Sequence, residues 1–316
     1  FPAMTYPENN RLTQDRIDLG RKLFYDPILS RNNEISCASC HKQSLAFADT
    51  AAISPGIEGR LGNRNAPTLG NVGYNPTLLF DGFLETLEKQ VLVPIQEHAE
   101  MDFNIVDVSK RMKADPKYVE MCKKAYDREP DAFVITRAIS AFERTLISSN
   151  SKYDAFLQGK KKLNAAEMRG KNLFFDRLYC SQCHGGFNFT DFSVRNNGLF
   201  PIYADSGRMR VTNLEVDRDV VKVPTLRNSA LTAPYMHDGR FKTLRDVLRH
   251  YESGGENHPN KSAIIQPFTL TPAEENDLIA FLKTLTDKQF ITDNLNPFVF
   301  LTRPVCSKIF VPLRYR

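Results

Sequence analysis

Two copies of one short pattern carry most of the chemistry that this sequence can be expected to perform. Cys37 and Cys40 are followed directly by His41, and the same order of two spaced cysteines and a histidine returns 143 residues later. The second copy consists of Cys180, Cys183 and His184. Such a pattern can belong to a redox pair, to half of a zinc site or to the attachment point of a covalent haem.

The doubled pattern favours haem. A thioredoxin-like redox pair does not require the histidine, and a zinc site needs four ligands that converge. In a c-type haem site the two thiols bond the porphyrin vinyl groups, and the adjacent imidazole is the proximal iron ligand. We therefore expect two covalent c-type haems, with His41 and His184 as iron ligands. Because this attachment takes place outside the cytoplasm, we expect a periplasmic or otherwise exported protein. There Cys122 and Cys306 could form a disulfide, although the sequence does not show that they meet.

The composition is that of a globular protein. The chain has 316 residues, 41% of them hydrophobic, and a formal net charge of +5. No run reaches the roughly 18–20 apolar residues of a membrane span. The Lys and Arg residues are spread along the chain, so we expect no nucleic-acid binding. The chain begins FPAMTYPENN, without a charged and apolar leader, so we expect any signal peptide to have been removed.

The two halves of the chain repeat one plan. The segment GRKLFYD (20–26) precedes the first motif, and GKNLFFD (170–176) precedes the second. Downstream, PTLGN from Pro67 and PTLRN from Pro224 are each followed, after 14 residues, by a related segment, DGFLETL or DGRFKTL. Equal spacing over this distance indicates an internal duplication.

Helix-forming patterns dominate both halves. Two capping boxes predict helix starts at Asn164 and at Thr271, and apolar residues recur at helical spacing over 135–146 and 278–285. We therefore predict a mainly α-helical fold with a domain boundary between 150 and 162. The predicted domains are residues 1–155 and residues 156–316, the second with a C-terminal tail from about residue 290.

The repeat also allows a comparison of the other side of each iron. Tyr251 lies eight residues after Thr243, whereas Pro94 lies eight residues after Thr86. A tyrosine oxygen can be an axial haem ligand, but proline cannot ligate. We therefore predict that Tyr251 binds the second iron and that the first iron is open. The alternative ligands of the second iron are His250, Met236 and His258.

Glu100 lies six residues after Pro94 and is the candidate catalytic residue. A carboxylate beside an open iron can take a proton from the near oxygen of bound hydrogen peroxide and return it to the departing oxygen. A solvated surface position is the usual place for Glu, but the spacing from Pro94 favours the functional interpretation. His98 is either a second participant in this proton transfer or an incidental polar neighbour.

Taken together, these residues resemble the bacterial dihaem cytochrome c peroxidases and their MauG-type relatives. The resemblance covers roughly residues 10 to 290 and rests on LGRKLFYD, CASCH, RNAPTLGN, the Glu-Met pair at 100, AFERTL, CSQCH, VPTLRNSALTAPYMHDG and IAFLKTLT. It implies two cytochrome c-like domains that face each other. It also implies a peroxidatic N-terminal haem and a C-terminal haem that receives electrons from a small c-type cytochrome or cupredoxin.

The resemblance assigns further site residues. Glu100 matches the catalytic glutamate of the family. The residues that match calcium-binding positions between the domains, which suit a hard cation, are Asn65, Thr232 and Pro234. Arg227 and His237 match residues that line the haems. The family is often dimeric, so a homodimer is a further expectation.

Three departures from the family pattern bear on function. The loop Ile57–Arg60 lacks the histidine that blocks the peroxidatic iron in many members, so we expect an enzyme that is open without reductive activation. Tyr251 stands where the peroxidases usually have methionine and the MauG type has tyrosine, and a hard anionic oxygen lowers the haem potential. The chain has no tryptophan, and Phe80 takes the usual inter-haem position. Phenylalanine is harder to oxidise, so we expect direct electron tunnelling.

Three functions follow as alternatives. The first prediction is a peroxidase that reduces hydrogen peroxide to water, with electrons that enter at the C-terminal haem and are used at the N-terminal haem. The second is a MauG-like oxidase that modifies a partner protein through a high-valent dihaem state. The third is a non-enzymatic dihaem electron-transfer protein.

Overall fold

The computed structural model describes residues 1–292, and helices make up most of its regular structure. We call residues 1–150 the first half and residues 151–292 the second half. The helices of the first half are α1 (Gln14–Tyr25), α2 (Cys37–Cys40), α3 (Leu87–Gln90), α4 (Leu92–Gln96), α5 (Ile105–Lys113), α6 (Pro116–Tyr126) and α7 (Ala132–Glu143).

The second half adds helices and one short β ribbon. Its helices are α8 (Lys152–Leu157), α9 (Ala165–Asn172), α10 (Met209–Thr212), α11 (Leu244–Glu252), α12 (Pro272–Lys283) and α13 (Lys288–Thr292). A π-helical turn, Leu173–Arg177, continues α9. Strands β1 (Val194–Arg195) and β2 (Val221–Lys222) pair antiparallel, with Val194 opposite Lys222. This architecture confirms the predicted mainly α fold.

Several helices begin where local capping chemistry places them. The Asn164 side chain accepts from the backbone N–H of Glu167 at 2.8 Å, and the Glu167 carboxylate accepts from the N–H of Asn164 at 2.7 Å. Thr271 and Glu274 form the same reciprocal pair at the start of α12. Such a cap satisfies backbone donors that a helix start leaves free, and it stabilises the helix by about 0.5–2 kcal/mol. Both predicted capping boxes are confirmed.

Each half is built on one close crossing of two helices. Helix α1 crosses α7 at Gly20, where a Cβ atom would lie 1.8 Å from the carbonyl oxygen of Ala138. Helix α9 crosses α12 at Gly170, where a Cβ atom would lie 1.9 Å from the carbonyl oxygen of Asp277. Only glycine lets two backbones approach so closely. These glycines open the repeated segments 20–26 and 170–176, so the repeat begins at the helix contact.

The hydrophobic cores lie around these two helix crossings. The apolar residues of the predicted stripe over 135–146 are each at most 1% exposed. In the second half, Leu278 and Leu285 are buried to the same degree and contact Phe281 in one cluster. Burial of one such side chain contributes about 1.5–3 kcal/mol to the free energy of unfolding. Most residues of the two predicted stripes therefore lie on buried helix faces, whereas Leu146 and Leu285 follow the ends of α7 and α12.

A network of charged side chains joins the two halves. Asp81, which is fully buried, accepts hydrogen bonds of 2.6 Å from both Arg64 and Arg210. Arg64 also donates to Asp205 at 2.6 and 2.8 Å. Because Arg210 and Asp205 belong to the second half, these bonds cross between the halves. Removing one partner of such a buried pair costs about 3–5 kcal/mol, so the network fixes how the halves meet.

The predicted domain boundary between residues 155 and 156 falls inside α8. Tyr153 and Phe156 of this helix contact the second hydrophobic core. Asp154, between them, pairs with Arg227 of the second half at 2.8 Å. These side chains of α8 thus pack and pair within the second half, and the exact domain boundary stays a prediction.

Two smaller expectations concern membrane insertion and the unmatched cysteines. Within residues 1–292, no helix is long and apolar enough to cross a lipid bilayer. Cys122 is fully buried in the first core. The predicted tail beyond residue 292, which includes Cys306, lies outside the described residues, so the disulfide stays a prediction.

Candidate active site

The first motif forms the one-turn helix α2. The backbone N–H of Ser36 donates to Ser39 Oγ at 3.0 Å and opens the turn, and the N–H of His41 donates to the Cys37 carbonyl at 2.9 Å and closes it. Burial raises the pKa of the thiols of Cys37 and Cys40. A redox-active pair needs a thiol of low pKa. The first motif is therefore suited to attachment and poorly suited to thiol redox chemistry.

The two motif histidines are held in the same way. The Nδ1 atom of His41 lies 2.9 Å from the carbonyl oxygen of Phe47. The Nδ1 atom of His184 lies 3.3 Å from the carbonyl oxygen of Phe189 and 3.2 Å from that of Pro224. Donation from Nδ1 leaves Nε2 free to bind metal. Burial lowers the pKa of both imidazoles, so each is neutral, as an iron ligand must be.

A cavity of about 610 Å³ opens beside the first motif. Its wall includes Cys37, Cys40 and His41, together with Pro94 and Glu100. The volume lies within the roughly 300–1,000 Å³ of typical ligand and cofactor sites. The structure thus brings the attachment residues, the predicted open position and the predicted catalytic carboxyl to one space. A covalent haem fits this set of side chains.

Backbone contacts hold Glu100 at this cavity. The N–H of Ile57 donates to the carbonyl oxygen of Glu100 at 2.8 Å. Gly56 lies directly against the same turn, and a Cβ atom there would be 2.1 Å from the carbonyl oxygen of Ala99. The close approach requires glycine. The segment before residue 60 therefore positions the carboxyl that we predict to be catalytic.

The loop Ile57–Arg60 is fixed by ion pairs. Glu58 pairs with Arg31 at 2.7 Å and also with Arg60. Arg60 in turn pairs with Asp102 at 2.7 Å. The loop contains no histidine, and its charged side chains are engaged with one another. These contacts attach the loop to the turn that carries Glu100.

Glu100 and His98 lie in different surroundings. The Glu100 side chain faces the cavity, and burial away from bulk water, helped by the negative charge of Glu97, raises its pKa to about 7. A carboxyl with that pKa exchanges protons readily near neutral pH. The His98 side chain is 73% exposed and lies 3.3 Å from the Asp102 carboxylate. His98 is absent from the described cavity wall, so the proton-transfer prediction rests on Glu100.

Helix α11 supplies the predicted ligand of the second iron. Thr243 caps α11, as Thr86 caps α3. This agreement supports the register that matches Tyr251 with Pro94. Tyr251 lies in the last turn of α11, whereas Pro94 lies in α4 and lines the first cavity. The same position therefore carries a phenol in one half and no ligand in the other.

Electrostatics places Tyr251 near the second motif. Burial raises the pKa of its phenol, a hydrogen bond with the Asn197 side chain lowers it, and the nearby charges of Cys183 and Cys180 raise it again. Such interactions act over short distances inside a protein. The phenol of Tyr251 and both attachment cysteines therefore share one environment, as a haem ligand would require.

The alternative ligands have partners of their own. The Nε2 atom of His250 lies 3.1 Å from the Asn197 carbonyl oxygen. The Nε2 atom of His258, which is buried, lies 2.9 Å from the Asp219 carboxylate. The Met236 sulfur accepts from Asn197 Nδ2 at 3.5 Å. Because Tyr251 also has a hydrogen bond with Asn197, these contacts do not separate the candidates, and ligation by Tyr251 stays a prediction.

The two residues expected to line the haems differ in setting. Arg227 is 3% exposed and donates two hydrogen bonds of 2.8 Å to Asp154. Its charge is thus paired within the protein. His237 is buried, with its ring 6.5 Å from that of Phe80, and its carbonyl accepts from the Asn65 N–H at 2.7 Å. His237 therefore lies where the halves meet.

The predicted calcium ligands lie near this contact. Asn65 Nδ2 donates to the carbonyl oxygens of Ala51 and Ala52 at 3.1 and 3.0 Å, which leaves Oδ1 for another partner. The backbone bond just described joins Asn65 to the loop that carries Thr232 and Pro234. Within residues 1–292 no cluster of three His, Cys, Asp or Glu side chains is suited to a metal. A cation here would use neutral oxygens, which calcium accepts.

The second half also contributes cations to the first cavity. Lys222 of β2 lines the cavity, and its Nζ donates to the Thr77 carbonyl at 3.0 Å. Burial lowers the pKa of Lys222 to about 8. Arg64 and Arg210 line the cavity as well. Cations in such a position can hold the carboxylate groups that a haem carries.

Sequence reasoning missed several ionisable cavity residues, among them Glu143 and Lys222. Glu143 of α7 lines the cavity and follows Ile139 by one helical turn. A glutamate within an apolar stripe was a readable signal of this position. Lys222 has no comparable signal, because its side chain belongs to one half and reaches the cavity of the other.

Two family models match this chain, each over a different range of residues. The model of the di-haem cytochrome c peroxidase family matches residues 14–162. The cytochrome c model matches residues 167–286. Each match contains one of the two motifs, and two cytochrome c domains imply two c-type haems.

Curated relatives and solved structures agree with these matches. The methylamine utilization protein MauG of Methylorubrum extorquens is 36% identical over 90% of this chain and 81% of its own length. The cytochrome c551 peroxidase of Nitrosomonas europaea is 38% identical over 90% and 82%. The structure of a MauG-like protein associated with microbial copper homeostasis has a TM-score of 0.89 at 35% identity and covers 93% of this chain and 96% of its own. The diheme peroxidase BthA of Burkholderia thailandensis has a TM-score of 0.78 at 25% identity, over 89% and 88%.

Proposed function

Because this chain belongs to the di-haem cytochrome c peroxidase family, we propose that it reduces hydrogen peroxide to water in the cavity of the first half. A small c-type cytochrome or cupredoxin supplies the electrons, which enter at the haem of the second half. The observation that carries this proposal is the position of Glu100. Its carboxyl, with a pKa of about 7, opens into the same cavity as the first haem-binding motif.

The side chains of the first cavity have separate roles in attachment, iron binding and proton transfer. When bound, a c-type haem supplies an iron that binds peroxide and passes electrons to it. Cys37 and Cys40 would hold this group through thioether bonds, and His41 would bind its iron through Nε2. Glu100 accepts the proton of the near peroxide oxygen and donates it to the departing oxygen, which leaves as water. Over the whole reaction, two electrons and two protons convert one hydrogen peroxide to two water molecules.

The second half is suited to electron transfer. His184 and Tyr251 would both bind the second iron, which would leave no position for peroxide. Phe80 and His237 lie between the halves, with ring centres 6.5 Å apart. Neither side chain is easily oxidised at neutral pH, so electrons would pass between two bound haems without using either side chain.

A second candidate is the peroxide-dependent oxidation of a partner protein, as in the MauG type. Tyr251 is the observation that favours it, because its anionic oxygen lowers the potential of the second haem and makes that haem a weaker acceptor from ordinary donors. Relatives named MauG and a MauG-like structure match most of the chain. Phe80 argues against charge sharing through a side chain between the haems.

One assay separates these functions. The holoprotein is mixed with hydrogen peroxide and a reduced small c-type cytochrome, and both the donor and the haem spectra are followed. Rapid catalytic oxidation of the donor supports the peroxidase. A stable spectral change without turnover supports the partner-protein oxidase. If peroxide leaves both haem spectra unchanged, the chain is an electron-transfer protein and both enzymatic proposals fail.

We also propose one calcium ion between the halves, held by Asn65 Oδ1 and by oxygens of Thr232 and Pro234. The free Oδ1 atom of Asn65 and the backbone bond between the two segments support this site. Metal analysis of the purified holoprotein should find one calcium per chain, and removal by a chelator should lower the melting temperature. Asn65→Leu should lose the ion. A protein that contains no calcium, or whose melting temperature is unchanged by the chelator, contradicts the site.

An exported location is part of the same proposal. Covalent haem attachment takes place outside the cytoplasm, and the family match implies two such haems. Fractionation of the producing cells should therefore recover the haem-containing protein with periplasmic markers. Recovery of holoprotein from the cytoplasm would refute this location.

A further inference from the structure

An oxidisable side chain lies between the first cavity and the protein surface. Tyr25 is the last residue of α1 and is 42% exposed. Its ring centre lies 5.3 Å from that of Phe24 and 6.4 Å from that of Phe142. Phe24 is fully buried and lines the first cavity. The Tyr25 ring thus packs against a ring of the cavity wall and also reaches solvent.

The second half has phenylalanine at the matching position. The repeated segments GRKLFYD and GKNLFFD align Tyr25 with Phe175, which packs against the second core. The preceding residue is a buried phenylalanine in both halves, Phe24 and Phe174. Phenylalanine is far harder to oxidise than tyrosine. The oxidisable residue therefore belongs to the half whose cavity contains the predicted catalytic carboxyl.

The position of Tyr25 also differs from that of the other tyrosines. Among the tyrosines that the structure describes, Tyr25 and Tyr179 are the exposed ones. Tyr179 directly precedes the second motif, so Tyr25 is the exposed tyrosine of the first half. Because the chain has no tryptophan, tyrosine is its most easily oxidised aromatic residue. An oxidising equivalent formed in the first cavity would therefore reach the surface at Tyr25.

A shallow pocket of about 400 Å³ lies at Tyr25. Asp18, Arg21 and Lys22 of the same helix complete its wall. The volume is at the lower end of the roughly 300–1,000 Å³ of small-molecule sites, so it suits a molecule with a single ring. The Tyr25 ring offers an aromatic surface to such a molecule, and the charged side chains offer partners for its hydroxyl group.

We propose that Tyr25 is a second site of substrate oxidation, at which small phenols at the surface give electrons to the first cavity while hydrogen peroxide is the oxidant. The inference rests on the reaction with peroxide proposed above. It does not depend on whether the second half receives electrons from a donor protein.

Electrons and protons balance over this reaction. As the O–O bond of peroxide breaks, Tyr25 gives one electron to the cavity and its phenolic proton to water, which leaves a neutral tyrosyl radical. The O–H bond of a small phenol then breaks, and its hydrogen atom restores Tyr25. Two such cycles supply two electrons, and the cavity takes two protons from solvent. One hydrogen peroxide and two phenols thus yield two water molecules and two phenoxyl radicals.

The exposure of Tyr25 provides the route for its proton. Burial raises the pKa of the phenol above its usual value near 10, an effect that the positive charge of Arg21 opposes. The phenol is therefore protonated at neutral pH, and it must lose this proton when it is oxidised. Bulk water can accept the proton directly because part of the side chain is at the surface.

The first test is a search for the radical. The ferric holoprotein is mixed with hydrogen peroxide without any donor, frozen rapidly and studied by electron paramagnetic resonance. The wild type should show a tyrosyl radical signal, and Tyr25→Phe should lose most of it. Tyr6→Phe, which changes a half-buried tyrosine of the same half, is the control and should retain the signal. Equal signals in Tyr25→Phe and wild type would overturn the proposal.

A second measurement needs no variant. Peptide mapping of the wild type after reaction with peroxide and a nitroso spin trap should place the adduct on Tyr25. Guaiacol, a small phenol, should prevent the adduct when it is added before peroxide. An adduct that forms only on other residues contradicts the proposal.

Steady-state oxidation of guaiacol by peroxide separates this inference from the proposed function. Tyr25→Phe should oxidise guaiacol several-fold more slowly than the wild type, whereas Tyr6→Phe should match the wild type. Equal guaiacol rates in a protein that oxidises a reduced small c-type cytochrome reject this inference and keep the proposed function. Guaiacol oxidation that depends on Tyr25, without cytochrome turnover, keeps this inference and rejects the cytochrome peroxidase. Peroxide that changes neither haem spectrum rejects both.

Discussion

The two halves share a scaffold and differ at the positions that we propose to face the free side of each haem. Each half has a glycine at a helix crossing and a half-buried histidine whose Nδ1 contacts a backbone carbonyl. Where the first half has Pro94, the second has Tyr251. Six residues further, Glu100 of the first half corresponds to Asn257 of the second, which cannot carry a proton.

This difference teaches which part of a duplicated domain can change without loss of the scaffold. The attachment chemistry depends on local contacts that both copies keep. The proposed free side depends on a few side chains: a carboxyl with a raised pKa in the first half and a half-buried phenol in the second. Under the proposed function, the residues at these two positions, Glu100 and Tyr251, distinguish a substrate site from an electron-transfer site, and the following variants test this.

Removing the carboxyl of Glu100 should have the largest effect. Glu100→Gln should retain both haems and slow peroxide reduction by about 10²-fold or more, the usual scale for a lost general acid–base group. Stopped-flow decay of peroxide gives the rate. Glu85→Gln, an exposed change in the same half, is the control and should keep the wild-type rate. Equal rates for Glu100→Gln and wild type would remove Glu100 from the mechanism.

The glycine crossings should be next in effect and similar in both halves. Gly20→Ala and Gly170→Ala each force a Cβ atom to within 2 Å of a carbonyl oxygen, so each should lower the free energy of unfolding by about 1–3 kcal/mol or more. Gly62, where nothing lies within 4 Å, provides the control, and Gly62→Ala should be nearly neutral. Chemical denaturation measures all three. A neutral result at either crossing would show that this part of the scaffold is not shared.

The pH dependence of peroxide reduction should follow Glu100. The carboxylate is the form that accepts a proton, and its pKa is about 7. The value of kcat/KM should therefore fall about tenfold per pH unit below pH 7 and level off above it. Glu97→Gln removes a charge that raises this pKa, so it should move the fall to lower pH. A flat profile, or no shift in Glu97→Gln, argues against Glu100 as the base.

Replacing Tyr251 should change spectra more than stability. Tyr251→Phe should convert the second haem to a high-spin form and leave the first haem unchanged, as seen by electron paramagnetic resonance. Tyr235 offers a matched control: it is another half-buried tyrosine of the second half, and its hydroxyl donates to the Ser229 carbonyl at 2.8 Å. Tyr235→Phe should leave both spectra intact. An unaltered spectrum in Tyr251→Phe would indicate that His250, Met236 or His258 is the ligand of the second iron instead.

Features that depend on neighbours in the chain could be predicted from the sequence. The two capping boxes, the two motifs and the apolar stripes all rest on contacts within about one or two helical turns, and the structure has each of them where the pattern placed it. The repeat added the register of Tyr251 against Pro94, because it compares one half of the chain with the other.

Features that depend on packing between distant segments could not be predicted. The role of Lys222 arises because β2 of the second half meets the cavity of the first. The exposed side chain of His98 contacts Arg60 and Asp102 and not the cavity. Each involves choices among partners that spacing alone does not decide.

The most direct test of the central claim, one open and one closed haem on a common scaffold, is the electron paramagnetic resonance spectrum of the resting ferric holoprotein. The account predicts one high-spin signal from the first haem and one low-spin signal from the second, in equal amounts. Two low-spin signals would mean that the first iron is closed, and two high-spin signals would mean that Tyr251 does not bind the second iron.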